Sequence, residues 1–302
     1  MKTKYLMACM ILPFAITSCS SDATEEKPVT PPAVTKKEIK IGTNVSGITK
    51  ATDTGFDAND KCGLYVVNRG SDNASNTLQS TGNHVDNMRF TYNGTWTPDT
   101  PIYWMDNTTH ADFYLYFPYQ NGIGDVNAMP FSVKTDQSSE SAYKASELLI
   151  GSIKDVAPTE AAVIINAKHV LSRMVVNVAA GNGFTTESLA AANVGVTING
   201  IKVSATVDLA TSAVSATGDA QSIKPWNTDG VWKALVIPQS VEETNLITVN
   251  VDGKDYNLKK AFTFVGGKSH KFTVTVSKTS NGINVNIDGW ETDDTDNGGV
   301  AE

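Results

Sequence analysis

Apolar residues along this chain fall mostly into short runs with a period of two, the spacing of half-buried β-strands. Ile39, Ile41 and Val45 alternate with Lys40, Gly42 and Asn44, and a second apolar run follows at 62–67. Three Asx-Gly dipeptides sit between such runs. Residues 90–92 and 95–97 flank Asn93-Gly94, 194–198 and 201–203 flank Asn199-Gly200, and 246–251 and 256–258 flank Asp252-Gly253. Each predicts a hairpin, because a type I′ turn needs positive φ at both central positions. Residues 112–119 read as a strand with aromatics on both faces, and 161–166, 169–178, 231–237, 262–264, 271–276 and 283–287 supply further strands. Helix is expected only as a turn or two at 187–192. Many short strands separated by turn signals predict an all-β protein built from sandwiches. No period of fixed length marks a propeller or solenoid.

The N-terminus has a different pattern. Lys2 and Lys4 precede an apolar run at 5–16, followed by Thr17, Ser18 and Cys19. That is the layout of a secretory signal, and the run is shorter than the roughly 20 residues a membrane span needs. Its ending on cysteine resembles a bacterial lipoprotein signal, which implies cleavage after residue 18 and a lipid anchor on Cys19. Residues 19–37, rich in Ser, Thr, Pro and Glu, lack the apolar content to offset their ordering entropy and read as a flexible tether. Asp22, Glu25 and Glu26 resemble the acidic stretch that marks surface display in Bacteroidetes lipoproteins.

Composition narrows the chemistry. A net charge of −8 without a basic cluster gives no footprint for nucleic acid. Cys9 leaves with the signal and Cys19 takes the lipid, so Cys62 is alone in the folded part and reads as a small buried hydrophobe. His84, His110, His169 and His270 are far apart, and no zinc-protease, nucleophile-elbow, P-loop or dinucleotide motif occurs. Gly266-Gly267 lies between strands, as a turn does. The Asp293–Asp296 stretch lacks the glycine spacing and distal Glu of an EF-hand, so 291–302 reads as an acidic tail. No catalytic residue, metal or cofactor is assigned. Tyr103, Trp104, Tyr114 and Tyr116 could offer a sugar-stacking surface, although aromatics at strand spacing are more often core on one side and cross-strand packing on the other. Lys50 sits at a loop tip between two strands, where nicking is easiest.

Several stretches, taken in order, carry a family resemblance. The strand after the tether with Thr49-Lys-Ala-Thr52, the aromatic 114–119, His169-Val-Leu-Ser-Arg-Met174, Ile237-Pro-Gln239, and 264–274 ending near Trp290 resemble the fimbrillin (Mfa-like) lipoproteins of the Bacteroidales. The resemblance implies two transthyretin-like β-sandwich domains in tandem, placed here at 38–165 and 166–290. It implies a surface-anchored pilus subunit of the outer membrane rather than an enzyme. Its partners would be other fimbrial subunits by strand addition, membrane lipid through Cys19, and a host or bacterial surface glycan or protein. A protease would cut after Lys50, the strand carrying Ile39, Ile41 and Val45 would leave, and a neighbour's strand would replace it. Many relatives carry Arg where this chain has Lys50. The 291–302 tail lacks the apolar alternation of a donor strand, which points to a tip or accessory subunit. The competing expectation is a surface glycan-binding lipoprotein that never polymerises, with Trp104, Tyr114 and Tyr116 stacking the sugar.

Overall fold

The computed structural model describes residues 36–46, 55–278 and 299–301. Cys19, Lys50 and the 283–287 run lie outside the described residues. The described residues form strands β1 Ile41–Ser46, β2 Lys61–Asn68, β3 Val85–Tyr92, β4 Trp96–Pro98, β5 Ala111–Phe117, β6 Met129–Ser132, β7 Leu149–Val156 and β8 Val163–His169. They continue with β9 Ser172–Ala180, β10 Val194–Asp208, β11 Ala213–Ile223, β12 Trp226–Thr228, β13 Val231–Val236, β14 Gln239–Val251, β15 Lys254–Phe264, β16 Ser269–Val276 and β17 Gly299–Ala301. Two short helices accompany them, α1 Glu140–Lys144 and α2 Thr186–Ala191. The all-β reading therefore holds. Helix α2 stands where the sequence suggested helix, closed by a capping box between Thr185 and Ser188. Residues 120–146 carry no helical period, yet α1 forms there, started by the Ser139 hydroxyl accepting from the Ala142 N–H.

The strands make three sheets. One runs β1-β8-β7-β5-β2-β3-β4, a second β11-β10-β14-β15 with β6 added to β10, and a third β12-β13-β9-β16-β17. Strands β2 and β5 lie inside the first sheet and are buried on both faces. Tyr65, Val67, Tyr114, Tyr116 and Ile150 face one core with residues of the other sheets, while Leu64, Val66, Phe113, Leu115 and Leu149 face a second core with Ile39, Ile41, Trp96, Ile102 and Trp104. This explains their near-continuous apolar sequence. Cys62 is fully buried, as expected, and burial pushes its thiol pKa well up.

Three expectations need correction. Asn199-Gly200 makes no hairpin: β10 runs straight through it, and the pair forms a bulge where the register to β11 shifts and Gly200 takes φ 73°. Asn93-Gly94 does join a hairpin, but through a three-residue loop in which Gly94, not Asn93, has positive φ. At the far end, 299–301 pairs in parallel with β16 as a strand, where a solvated tail was expected.

Candidate functional site: the first strand and its groove

Strand β1 lies at the edge of the seven-stranded sheet and pairs in parallel with β8 over six residues, from Ile41 opposite Val163 to Ser46 opposite Lys168. The preceding residues pair on the other side. The Ile39 N–H donates to the Ile102 carbonyl at 2.8 Å, and the Trp104 N–H donates to the Lys37 carbonyl at 2.9 Å. Residues 102–104 follow β4, the opposite edge of the same sheet. The 37–46 segment thus ties one edge to the neighbourhood of the other and closes the sheet on itself.

Period-two alternation decides which side chains go in. Ile39 and Ile41 are 1% and 5% exposed, Val45 is half-buried against the same core, and Lys40 and Asn44 face solvent. The slot they fill is walled by Trp96, Ile102, Trp104, Val163, Ile165 and Ala167. Burying each isoleucine is worth about 1.5–3 kcal/mol. Thr43, which the sequence reading passed over, also points inward: its Oγ1 accepts a hydrogen bond from Trp96 Nε1 at 2.9 Å. Its place in the alternation was the signal, since it shares parity with Ile39, Ile41 and Val45.

At the C-terminal end of β1 a cavity of about 430 Å³ opens, lined by Val45, Phe56, Phe117, Tyr143, Leu149 and a polar rim. In that rim Lys144 Nζ lies 2.8 Å from Asp57 Oδ2, and His169 Nδ1 lies 3.1 Å from Glu147 Oε2. Burial raises the Asp60 carboxyl pKa above its ordinary value, with the charge of Asp57 adding to the shift.

The structure does not assemble the expected sugar platform. Trp104, Tyr114 and Tyr116 are 2%, 5% and 0% exposed, and they sit on opposite faces of the sheet, Trp104 in one core and the tyrosines in the other. The Tyr114 ring is covered by Lys154 Nζ 3.3 Å from its centre. Tyr116 donates its hydroxyl to Asn87 Oδ1, and Trp104 donates Nε1–H to the Thr159 carbonyl. These rings pack the core because alternate aromatic residues on a two-sided strand have no open face to offer.

Strand β1 thus lies at the edge of its sheet with its inward side chains filling an apolar slot. A family model described as fimbrillin-like matches residues 49–290, and the chain belongs to the fimbrillin-like family. It is 24% identical to the "Putative fimbrium subunit Fim1C" of Bacteroides uniformis over 96% of each chain. A second match, 28% identical over 160 residues, covers 46% of this chain and 27% of the "Putative fimbrium tip subunit Fim1C" of Bacteroides ovatus. The fold is similar to two crystal structures, each called a "putative cell adhesion protein". The Bacteroides ovatus structure gives a TM-score of 0.64 at 17% identity, covering 80% of this chain and 92% of that one. The Bacteroides uniformis structure gives 0.59 at 20% identity, covering 80% and 95%.

Proposed function

We propose that this chain is a surface-anchored fimbrial subunit, held to the outer membrane through lipid on Cys19 and assembled by exchange of its first strand. Cleavage after Lys50 frees the strand bearing Ile39, Ile41 and Val45, and a strand from a neighbouring subunit takes its place. The observation that carries this reading is the position of β1: an edge strand whose inward side chains fill an apolar slot and whose backbone closes the sheet. Removing it leaves unpaired backbone groups beside that slot, a template for strand addition. An equivalent incoming strand restores the same burial, so the exchange is close to balanced in the fold, and loss of the cut strand by diffusion gives it direction.

The role is structural and adhesive rather than catalytic. A tip or accessory position is supported by the tip-subunit name of the Bacteroides ovatus relative, 27% of whose length is matched. The test is N-terminal sequencing with intact mass of the protein shaved from its own cells. The expected result is an N-terminus at Ala51 in high-mass assemblies. A lipidated Cys19 terminus on a monomer that retains residues 39–45 would overturn the reading.

A further inference from the structure

We propose that the groove reads the strand it holds: Trp96 selects a hydroxyl-bearing residue at the position of Thr43. The matching strand has an aliphatic residue at the positions of Ile39, Ile41 and Val45, Ser or Thr at the position of Thr43, and any residue between. This rests on the strand exchange proposed above and adds the chemistry of the incoming partner.

The selecting group is the Trp96 indole N–H, which donates to Thr43 Oγ1 at 2.9 Å. Trp96 is 7% exposed, and its ring is held by Phe56 at 4.8 Å and Tyr92 at 5.1 Å between centroids. A ring wedged in this way cannot turn its N–H toward water. A strand with valine at that position fits the shape and leaves the donor without a partner, which costs more than a neutral hydrogen bond contributes. The outward positions discriminate little. A side chain at Gly42 would meet Ile164 Cδ1 at 2.7 Å, but that atom is the free end of a residue 47% exposed, and it can move aside. The hydrogen bond that Asn44 Nδ2 donates to Asn166 Oδ1 is exposed to competing water.

The pattern also bears on who donates. In Ile283-Asn-Val-Asn-Ile287, the one aliphatic alternation after β16, every register that seats two aliphatic residues in the slot sets an aliphatic or a non-hydroxyl residue opposite Trp96 or drops one of the flanking aliphatics. The 283–287 run is therefore a poor match to the groove, and the fitting donor strand is one with the hydroxyl-bearing pattern.

The test replaces residues 47–54 of the full chain with a site-specific protease sequence, cuts the folded protein there, and adds labelled peptides of residues 37–46 in excess. Retention is read by native mass spectrometry. The wild-type and Thr43→Ser peptides should enter and stay, and Thr43→Val should leave roughly tenfold faster. In a Trp96→Phe chain that difference should vanish, which separates selection by the N–H from a general loss of packing. Equal retention of wild-type and Thr43→Val peptides would overturn the selection and leave strand exchange standing. Entry of no peptide would overturn strand exchange itself. Selection is then decided on the uncut chain, where Thr43→Val should lower the denaturant midpoint in the wild-type background and not beside Trp96→Phe; equal effects would sink it.

Discussion

At the scale of single residues, the most consequential polar group is Asp112. It is fully buried, 2.8 Å from Arg69 Nη1, and accepts from the Asp155 N–H at 2.8 Å and the Ser75 hydroxyl at 3.2 Å. Asp112→Ala takes the closest carboxylate from Arg69, which keeps the Asn73 carbonyl and Asp155 Oδ1, and leaves the Asp155 N–H without its acceptor. It should therefore cost about 3 kcal/mol, the low end for breaking a buried pair, read from urea unfolding. In the sequence this residue looks like the polar start of an aromatic strand, because its partner lies 43 positions away and nothing local announces it. His270 is equally silent in sequence. It is buried beside Phe262 and Phe264, and burial lowers its pKa from 6.5 to about 4. The unfolded chain takes up that proton near 6.5 while the folded chain resists it until about 4, so between those values the unfolded state binds more protons. Stability should fall as pH drops through this window, by about 3 kcal/mol at its lower end, with no contribution above it. Denaturation at pH 7 and pH 4 should show a smaller loss for His270→Asn than for the wild-type chain.

At the scale of elements, what the sequence reveals depends on whether local chemistry decides the outcome. Asp252-Gly253 is a true two-residue turn, with φ of 50° and 88° and Val251 opposite Lys254. There the dipeptide was enough. Asn199-Gly200 has the same permissive chemistry and a different fate. Asn199 donates to Thr248 Oγ1 and accepts from the Ser222 hydroxyl, and Gln239 brackets Lys202 with two hydrogen bonds at 2.9 Å. Neighbouring strands from far along the chain hold β10 straight, and the glycine absorbs the extra residue as a bulge. Gly253→Ala should cost about 1–2 kcal/mol, because a side chain is strained at that φ. Gly200→Ala should cost more, since its Cβ would also stand 3.1 Å from Thr244 Cγ2. Amide exchange across the β14–β15 hairpin, compared with the β10 bulge, measures both.

For the molecule as a whole, strand content was legible and strand partnership was not. Residues 161–166 and 169–178 read as adjacent strands, and the structure puts β8, Val163–His169, in the first sheet and β9, Ser172–Ala180, in the third. The sheet therefore changes at 170–171, and the expected division at 165/166 falls inside β8. Pairing then crosses that division. Strand β6 adds to β10 of the second sheet, with Phe131 opposite Ala205. Gln137 is fully buried and clasps Leu235, accepting from its N–H at 2.8 Å and donating to its carbonyl at 2.9 Å. Tyr114, Tyr116 and Met129 share one core with Val176, Val249 and Phe272. No alternation within a strand can foretell such contacts, because period two fixes which face is apolar and leaves open what covers it. A core and a ladder that span the midpoint of the chain should make the two halves unfold together. Native-state hydrogen exchange across a urea series should therefore show amides of β5 and β16 opening at one common urea dependence. Gln137→Ala leaves both Leu235 backbone groups without their partner in a dry interior, so it should lower the common midpoint by about 2–4 kcal/mol without splitting the transition. Separate transitions for β5 and β16 in the wild-type chain would show instead that each half is stable by itself, with β6 and Gln137 as dispensable contacts.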